Sequence, residues 1–301
     1  MERVTFSSEG AELAGSLLLP EREDNHPLVV MTHGFSATTS MTADKYAEVL
    51  RDHGLAVLLY DHRGFGASGG EPRQQINPWV QARGYRDAIS YASQVEHIDS
   101  ERIAIWGDSY SGAAALAVAA VDDRVAALAV QVPAIGSEMY PKDEDGSLYE
   151  AIKEMILSGD VEPSSQDEVD GPMPVVSDDQ VLRPSALKPL TAYRWFTEYG
   201  NRPGTGWINQ VTRVRKDAVA VWRPGLCARH VTCPSIFLVS PTDEMPSSVP
   251  TVSRAAFDQI NGPKEWVDIE GGHFGLLYYP SKEFERASSA QARFLTSHLG
   301  G

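Results

Sequence analysis

The sequence predicts an α/β protein with a mostly parallel, twisted sheet, helices on both faces and one long helical insertion. Three observations predict it. Apolar runs of strand length, Pro27–Thr32, Leu55–Tyr60, Ile103–Trp106, Val125–Val132 and Pro234–Ser240, show no polar alternation, as strands covered on both faces do. Helical patterns separate them, which is the order of a parallel sheet built from crossover units. The rhythm then stops between Pro133 and about Leu226, a gap too long for a structureless loop inside a compact domain.

The elements follow in order. Val4–Ser8 and Glu12–Leu19, with Glu9-Gly10-Ala11 between them, read as an edge hairpin. Asp44–His53 reads as a helix, and so does Pro78–Val95, where Val80, Ala88, Ile89 and Ala92 can face a sheet. Inside the interruption, amphipathic helical pieces lie near Leu148–Leu157, Ala186–Tyr199 and Ile208–Val221. Glu265–Ile269 supplies the last strand and Ser281–His298 the closing helix. The expected organisation is a core of residues 1–133 and 227–301, with residues 134–226 inserted as a helical lid.

With 42% hydrophobic and 22% charged residues the composition is that of a globular protein. No run of eighteen apolar residues occurs, so no membrane span is expected. The start, Met1-Glu2-Arg3-Val4, lacks the plan of a secretory signal, and the expected compartment is the cytoplasm. Cys227 and Cys233 are too few for a disulfide framework and have no zinc-ligand pattern around them; they read as free thiols. A formal net charge of −15 argues against a nucleic-acid partner, because phosphate binding needs clustered Lys and Arg. Much of that charge is local, with thirteen acidic residues against Lys142 and Lys153 between Gly136 and Leu182.

The chemistry is expected at the ends of the strands, where ligands of such sheets bind. Gly107-Asp108-Ser109-Tyr110-Ser111-Gly112 joins an apolar strand to an alanine-rich helix, so Ser109 sits on a sharp reversal with unpaired helix N–H groups behind it. Such a hydroxyl needs a base, and the base a carboxylate to orient it. Asp243, in Ser240-Pro241-Thr242-Asp243-Glu244, follows one strand, with Glu244 in reserve as the acid. His273, in Gly271-Gly272-His273-Phe274-Gly275, follows the next.

These motifs, with His33-Gly34-Phe35 after the third strand and the turn Asp61-His62-Arg63-Gly64-Phe65-Gly66-Ala67-Ser68, resemble those of the α/β-hydrolase superfamily. The likeness is to its dienelactone-hydrolase-like and Xaa-Pro-peptidase-like serine hydrolases, in which a small lid follows the sixth strand. The elbow departs from G-x-S-x-G in having Ser111 at the closing position. The resemblance implies an α/β-hydrolase fold, a Ser109–His273–Asp243 triad, and an oxyanion hole made by the backbone N–H groups of Phe35 and Tyr110. Some members use a tyrosine hydroxyl for the second donor, which Phe35 does not have. The D-x-R-G-x-G-x-S turn is structural in the family.

The function implied is cleavage of a carboxylic ester, thioester or amide through an acyl-enzyme. An acyltransferase, a cyclase or a C–C bond-cleaving enzyme would use the same triad, and a non-catalytic ligand-binding member is the third reading. Tyr140, Tyr193, Trp195 and Trp207, among other lid aromatics that include Tyr149, Phe196 and Trp222, are the expected pocket walls, or else the lid's own core. Gly64–Gly69 spells G-x-G-x-x-G, but no helix opens after it to cap a pyrophosphate, so no nucleotide cofactor is expected. The expected partner is a small acyl substrate, a homodimer is an admissible assembly, and no cofactor or metal is expected. His26, His53, His62, His97, His230 and His298 read as structural or solvated.

Overall fold

The computed structural model describes residues 2–21, 25–163, 168–215 and 221–300. Its centre is an eight-stranded sheet. In chain order the strands are β1 (Glu2–Ser8), β2 (Ala11–Leu18), β3 (His26–Thr32), β4 (Ala56–Tyr60), β5 (Gln75–Ile76), β6 (Ile98–Asp108), β7 (Val125–Gln131), β8 (Val169–Met173), β9 (Val211–Val214), β10 (Ser235–Val239) and β11 (Lys264–Asp268). The main sheet runs β1-β2-β4-β3-β6-β7-β10-β11. Within this sheet the neighbours from β4 across to β11 pair parallel, and the β1–β2 hairpin and its β2–β4 junction are antiparallel.

The helices are α1 (Ala43–Asp52), α2 (Pro78–Ala92), α3 (Ser109–Ala119), α4 (Ser147–Leu157), α5 (Leu190–Gly200), α6 (Pro250–Gln259), α7 (Gly272–Gly275) and α8 (Lys282–Leu299). Local chemistry sets their starts. Asn77 Oδ1 accepts from the N–H groups of Trp79 and Val80, and Pro78 fills the first helical position of α2, where no N–H is needed. Ser281 Oγ caps α8 by accepting from Phe284 N, with Glu283 and Glu285 in the first turn complementing the helix dipole.

The alternation of β3 shows how the two faces are filled. Leu28 and Val30 join one core with α2, α3 and α6, while Val29 and Met31 join the other with α1 and α8. All seven residues of β3 are buried, as its unbroken apolar run requires.

Residues 134–226 hold α4, α5 and more strand than the sequence suggests. Over Ile208–Val221 the expectation of a helix is corrected: Val211–Val214 is strand β9, paired with β5 and β8 in a second, three-stranded sheet. Val-Thr-Arg-Val is a β-branched run that pairing edges capture. Residues 216–220, the end of the stretch expected as helix, lie outside the described residues. The expected helix at Ala186–Tyr199 begins later, at Leu190, because Pro189 disfavours helix in the residue before it. Trp195 anchors α5: it is 1% exposed, and its Nε1 donates to Leu277 O at 3.1 Å.

Candidate active site

Ser109 is the first residue of α3, and its φ is +50°, in the left-handed region that a non-glycine residue occupies only at a cost. The reversal requires glycine at position 107, since a Cβ there would lie 2.5 Å from the carbonyl C and O of Ser111. Asp108, the N-cap residue, makes no side-chain cap. Its Oδ1 instead accepts from Gly34 N at 2.7 Å, so it leaves the first-turn N–H groups of α3 uncapped by a side chain.

His273 comes from the short helix α7 that follows β11, and Asp243 from the loop after β10. His273 Nδ1 lies 2.8 Å from Asp243 Oδ2, and Nε2 lies 2.9 Å from Ser109 Oγ. A carboxylate only accepts, so Nδ1–H donates to Asp243, and the bare Nε2 accepts from the Ser109 hydroxyl. Both side chains of the His–Asp pair are sealed from water, at 2% and 0% exposure. Glu244, the reserve acid, is used differently: its Oε2 accepts from the His273 backbone N–H at 2.9 Å and its Oε1 from Thr191 Oγ1 on α5. Gly272 permits this approach, because its φ is +71° and a Cβ would meet Glu244 Oε2 at 2.5 Å.

The loop after β3 stands beside the elbow. Neither Phe35 N nor Tyr110 N donates to any acceptor among the described residues, and the two rings meet edge to face at 5.8 Å. A buried network holds this loop from below. Ser111 Oγ donates to the carbonyl of His33 and accepts from His62 Nε2–H at 2.9 Å, while His33 Nε2–H donates to Met41 O at 2.8 Å. Burial drives the His62 pKa down to about 3, so its imidazole is neutral, and it raises the carboxyl of Asp108 above the ordinary range, opposed by His33 and Gly34 N–H. Ser111, which broke the motif, is therefore a tether that glycine could not supply. His62 is structural, as its type suggests. Its place beneath the elbow is not legible locally, since 49 residues separate it from Ser111.

The D-x-R-G-x-G-x-S turn braces neighbouring loops. Asp61 accepts from Thr39 N at 2.8 Å and Ala67 N at 3.0 Å, and Ser68 Oγ accepts from Ala14 N at 2.8 Å. Its glycines lead into residues 70–76 and the short β5, not into a helix.

A cavity of about 710 Å³ opens over Ser109 and His273. Of the four aromatic residues expected to line it, Tyr140 and Trp195 do; Phe196 and Trp222 also face it. Tyr193 and Trp207 are not among its lining residues, which corrects the expectation for both. Trp207 is turned away onto Phe196, at 5.6 Å between ring centres, and fills the space beside Gly200. Tyr193 packs at the edge of the α5 core. The cysteines are free, and burial raises the Cys227 thiol to about 12 and that of Cys233 to about 11, which removes their nucleophilic thiolate. Among the described residues no three His, Cys, Asp or Glu side chains gather as a metal centre would need, and no helix is long and apolar enough to cross a membrane.

Comparison with known proteins agrees with this fold. The model of the X-Pro dipeptidyl-peptidase (S15) family matches residues 9–151. The quorum-quenching protein AidA of Acinetobacter baumannii is 29% identical over 309 residues, covering 97% of this chain and 93% of its own. The thiohydrolase aneE of Aspergillus aculeatus is 29% identical over 303 residues, covering 97% and 92%. The polyketide transferase grgF of Penicillium sp. is 27% identical over 275 residues, covering 91% and 88%. The crystal structure of the α/β hydrolase GrgF from Penicillium sp. sh18 superposes with a TM-score of 0.75 at 27% identity, covering 100% of this chain and 99% of that one. The chain has the α/β-hydrolase fold. It is an enzyme of the serine hydrolase class.

Proposed function

We propose that the chain hydrolyses a carboxylic ester or thioester through an acyl-enzyme on Ser109. The observation that carries this is the continuous hydrogen-bonded relay Ser109 Oγ–His273–Asp243, at 2.9 and 2.8 Å. As Ser109 Oγ attacks the carbonyl carbon, its proton passes to His273 Nε2, and the imidazolium formed is stabilised by Asp243. The tetrahedral oxyanion is held by Phe35 N–H and Tyr110 N–H, each donor being worth roughly 3 to 4 kcal/mol in the transition state. His273 then protonates the leaving oxygen or sulfur, and the acyl group stays on Ser109. Water, deprotonated by the same imidazole, releases the acid and restores the hydroxyl. Residues 134–226 act as a cover that supplies an acyl wall from Tyr140, Trp195, Phe196 and Trp222, and the enzyme works on a small soluble substrate in the cytoplasm.

Transfer of the acyl group to an alcohol, amine or carbon nucleophile is the second reading, supported by the relative named a polyketide transferase. It differs only in which nucleophile the cover admits to the acyl-enzyme. A fluorophosphonate probe with mass mapping, followed by hydrolysis of nitrophenyl esters of graded chain length, tests the proposal. Labelling at Ser109, lost with His273→Ala, and turnover abolished in Ser109→Ala are expected. Labelling elsewhere, or undiminished turnover in Ser109→Ala, refutes it. Labelling with a stable, unhydrolysed acyl-enzyme would select transfer.

A further inference from the structure

The cavity wall has a charge that sets it apart from the chain as a whole. The protein carries 41 acidic against 26 basic residues, yet Lys188, Arg213, Arg215 and Arg223 all line this one cavity. The acidic residues lining it are Glu138, Asp170 and the buried Asp108, which is already engaged with Gly34 N–H and His33. Arg213 lies on β9 and Arg215 one residue past its end, and both face the cavity. Arg213 has a loose partner in Asp170 at 4.0 Å, and its buried Nε has no hydrogen-bond partner among the described residues. It stands close enough to Tyr110, the residue after Ser109, for its charge to act on the phenol. Neither Lys188 nor Arg223 meets a carboxylate among the described residues. A half-buried guanidinium with a dry unpaired donor is costly unless an acceptor arrives.

We propose that the substrate bears an anionic group, carboxylate or phosphate, away from the scissile carbonyl, and that Arg213 and Arg223, with Lys188 at the rim, receive it. This rests on the acyl-enzyme reading above and names the substrate class for that site. Guanidinium forks match the paired oxygens of carboxylate and phosphate, and an anion on the wall satisfies the open Arg213 donor. The same geometry holds the carbonyl over Ser109 by its far end, which raises the effective concentration of the reacting bond. The anion has two chemical sources, an acid group at the far end of the acyl chain or the phosphate of a pantetheine-type thiol leaving group.

Matched pairs of substrates separate the sources. One pair is the nitrophenyl monoester of a dicarboxylic acid against that of the monocarboxylic acid of equal length; the other is an acyl thioester of pantetheine 4′-phosphate against that of pantetheine. In one pair the anionic member is expected to have kcat/KM about ten-fold above its neutral twin at low salt, the worth of one charge-assisted hydrogen bond, with the ratio falling in 1 M salt. Arg223→Gln and Arg213→Gln are each expected to collapse that ratio, and Arg223→Lys to keep most of it. Melting curves establish that each variant is folded. Neutral members equal to or better than both anionic twins, or a ratio untouched in both glutamine variants, overturn the proposal. Calorimetric binding of the free dicarboxylate and of pantetheine 4′-phosphate to Ser109→Ala reads the anion site without turnover. Binding there in a protein that hydrolyses nothing would refute the acyl-enzyme and keep the anion site; hydrolysis of neutral esters with no anion preference and no such binding would do the reverse.

Discussion

The elbow stores backbone strain at Ser109, and two substitutions of that residue measure it. At φ +50° an L-residue costs about 1–2 kcal/mol that glycine does not. Ser109→Ala keeps the Cβ and the strain, whereas Ser109→Gly removes both. Glycine loosens the unfolded chain as well, which gives back about 0.4–1 kcal/mol of the gain. Each variant loses the Oγ and its 2.9 Å bond to His273, so that loss cancels when the two are compared. Ser109→Gly should therefore be more stable than Ser109→Ala by about 0.5–1 kcal/mol. With an unfolding entropy of about 2.1 cal/mol/K per residue, a chain of 301 residues shifts its Tm by about 1–2 °C for that difference. Paired calorimetric melts at one scan rate, supported by urea midpoints, resolve it. In both variants kcat for any accepted ester should fall by about 10³-fold or more, as loss of a nucleophile does. Ser109→Ala melting at or above Ser109→Gly would refute the strain argument, and turnover surviving in either would refute the role of the hydroxyl.

Three further expectations concern the shell beneath the nucleophile. Ser111→Ala strips the His33 carbonyl of its donor and leaves the His62 Nε2–H buried without an acceptor, a loss of about 1–3 kcal/mol in stability. Because that carbonyl belongs to the loop carrying Phe35, kcat on a nitrophenyl ester should fall more than KM rises; a change confined to KM would contradict this. Gly107→Ala forces a Cβ to 2.5 Å from the Ser111 backbone and should cost about 1–3 kcal/mol, read as a lowered urea midpoint, together with activity. His62, with a folded pKa of about 3 against 6.5, refuses a proton that the unfolded chain accepts, so its contribution is intact above pH 6.5 and lost as pH falls toward 3. By pH 5 the loss is about 2 kcal/mol, and the stability gap between wild type and His62→Gln should shrink by that amount between pH 7 and pH 5. The comparison cancels the opposite tendency of Asp61 and Asp108, whose raised folded pKa values favour the native state in acid. An equal gap at both pH values would refute it.

Local chemistry made most of the frame readable. Unbroken apolar runs of strand length such as Pro27–Thr32 read as strands covered on both faces, and helical patterns such as Pro78–Val95 and Ser281–His298 fall between and after them. The order Ser109, Asp243, His273, each just past a strand, placed three chemical groups at the same edge of one parallel sheet before any coordinates. What the sequence by itself determined was therefore the layering and which three polar side chains meet at the ends of the strands, because apolar periodicity and strand-end motifs act within a few residues.

Only the tertiary structure decided the rest. That Asp243, rather than its neighbour Glu244, reaches His273 Nδ1 depends on how two loops meet, and the same meeting sends Glu244 to a backbone N–H. Whether Val211–Val214 becomes strand or helix was settled by β5 and β8 offering their edges. The side on which Trp207 or Tyr193 would lie, and the gathering of Arg213 and Arg223 on the wall over Ser109, are likewise matters of how residues 134–226 close on the sheet. Contacts between residues tens to more than a hundred positions apart leave no local signature, since one chain pattern is compatible with several ways of packing an amphipathic segment, and only the filled volume selects one.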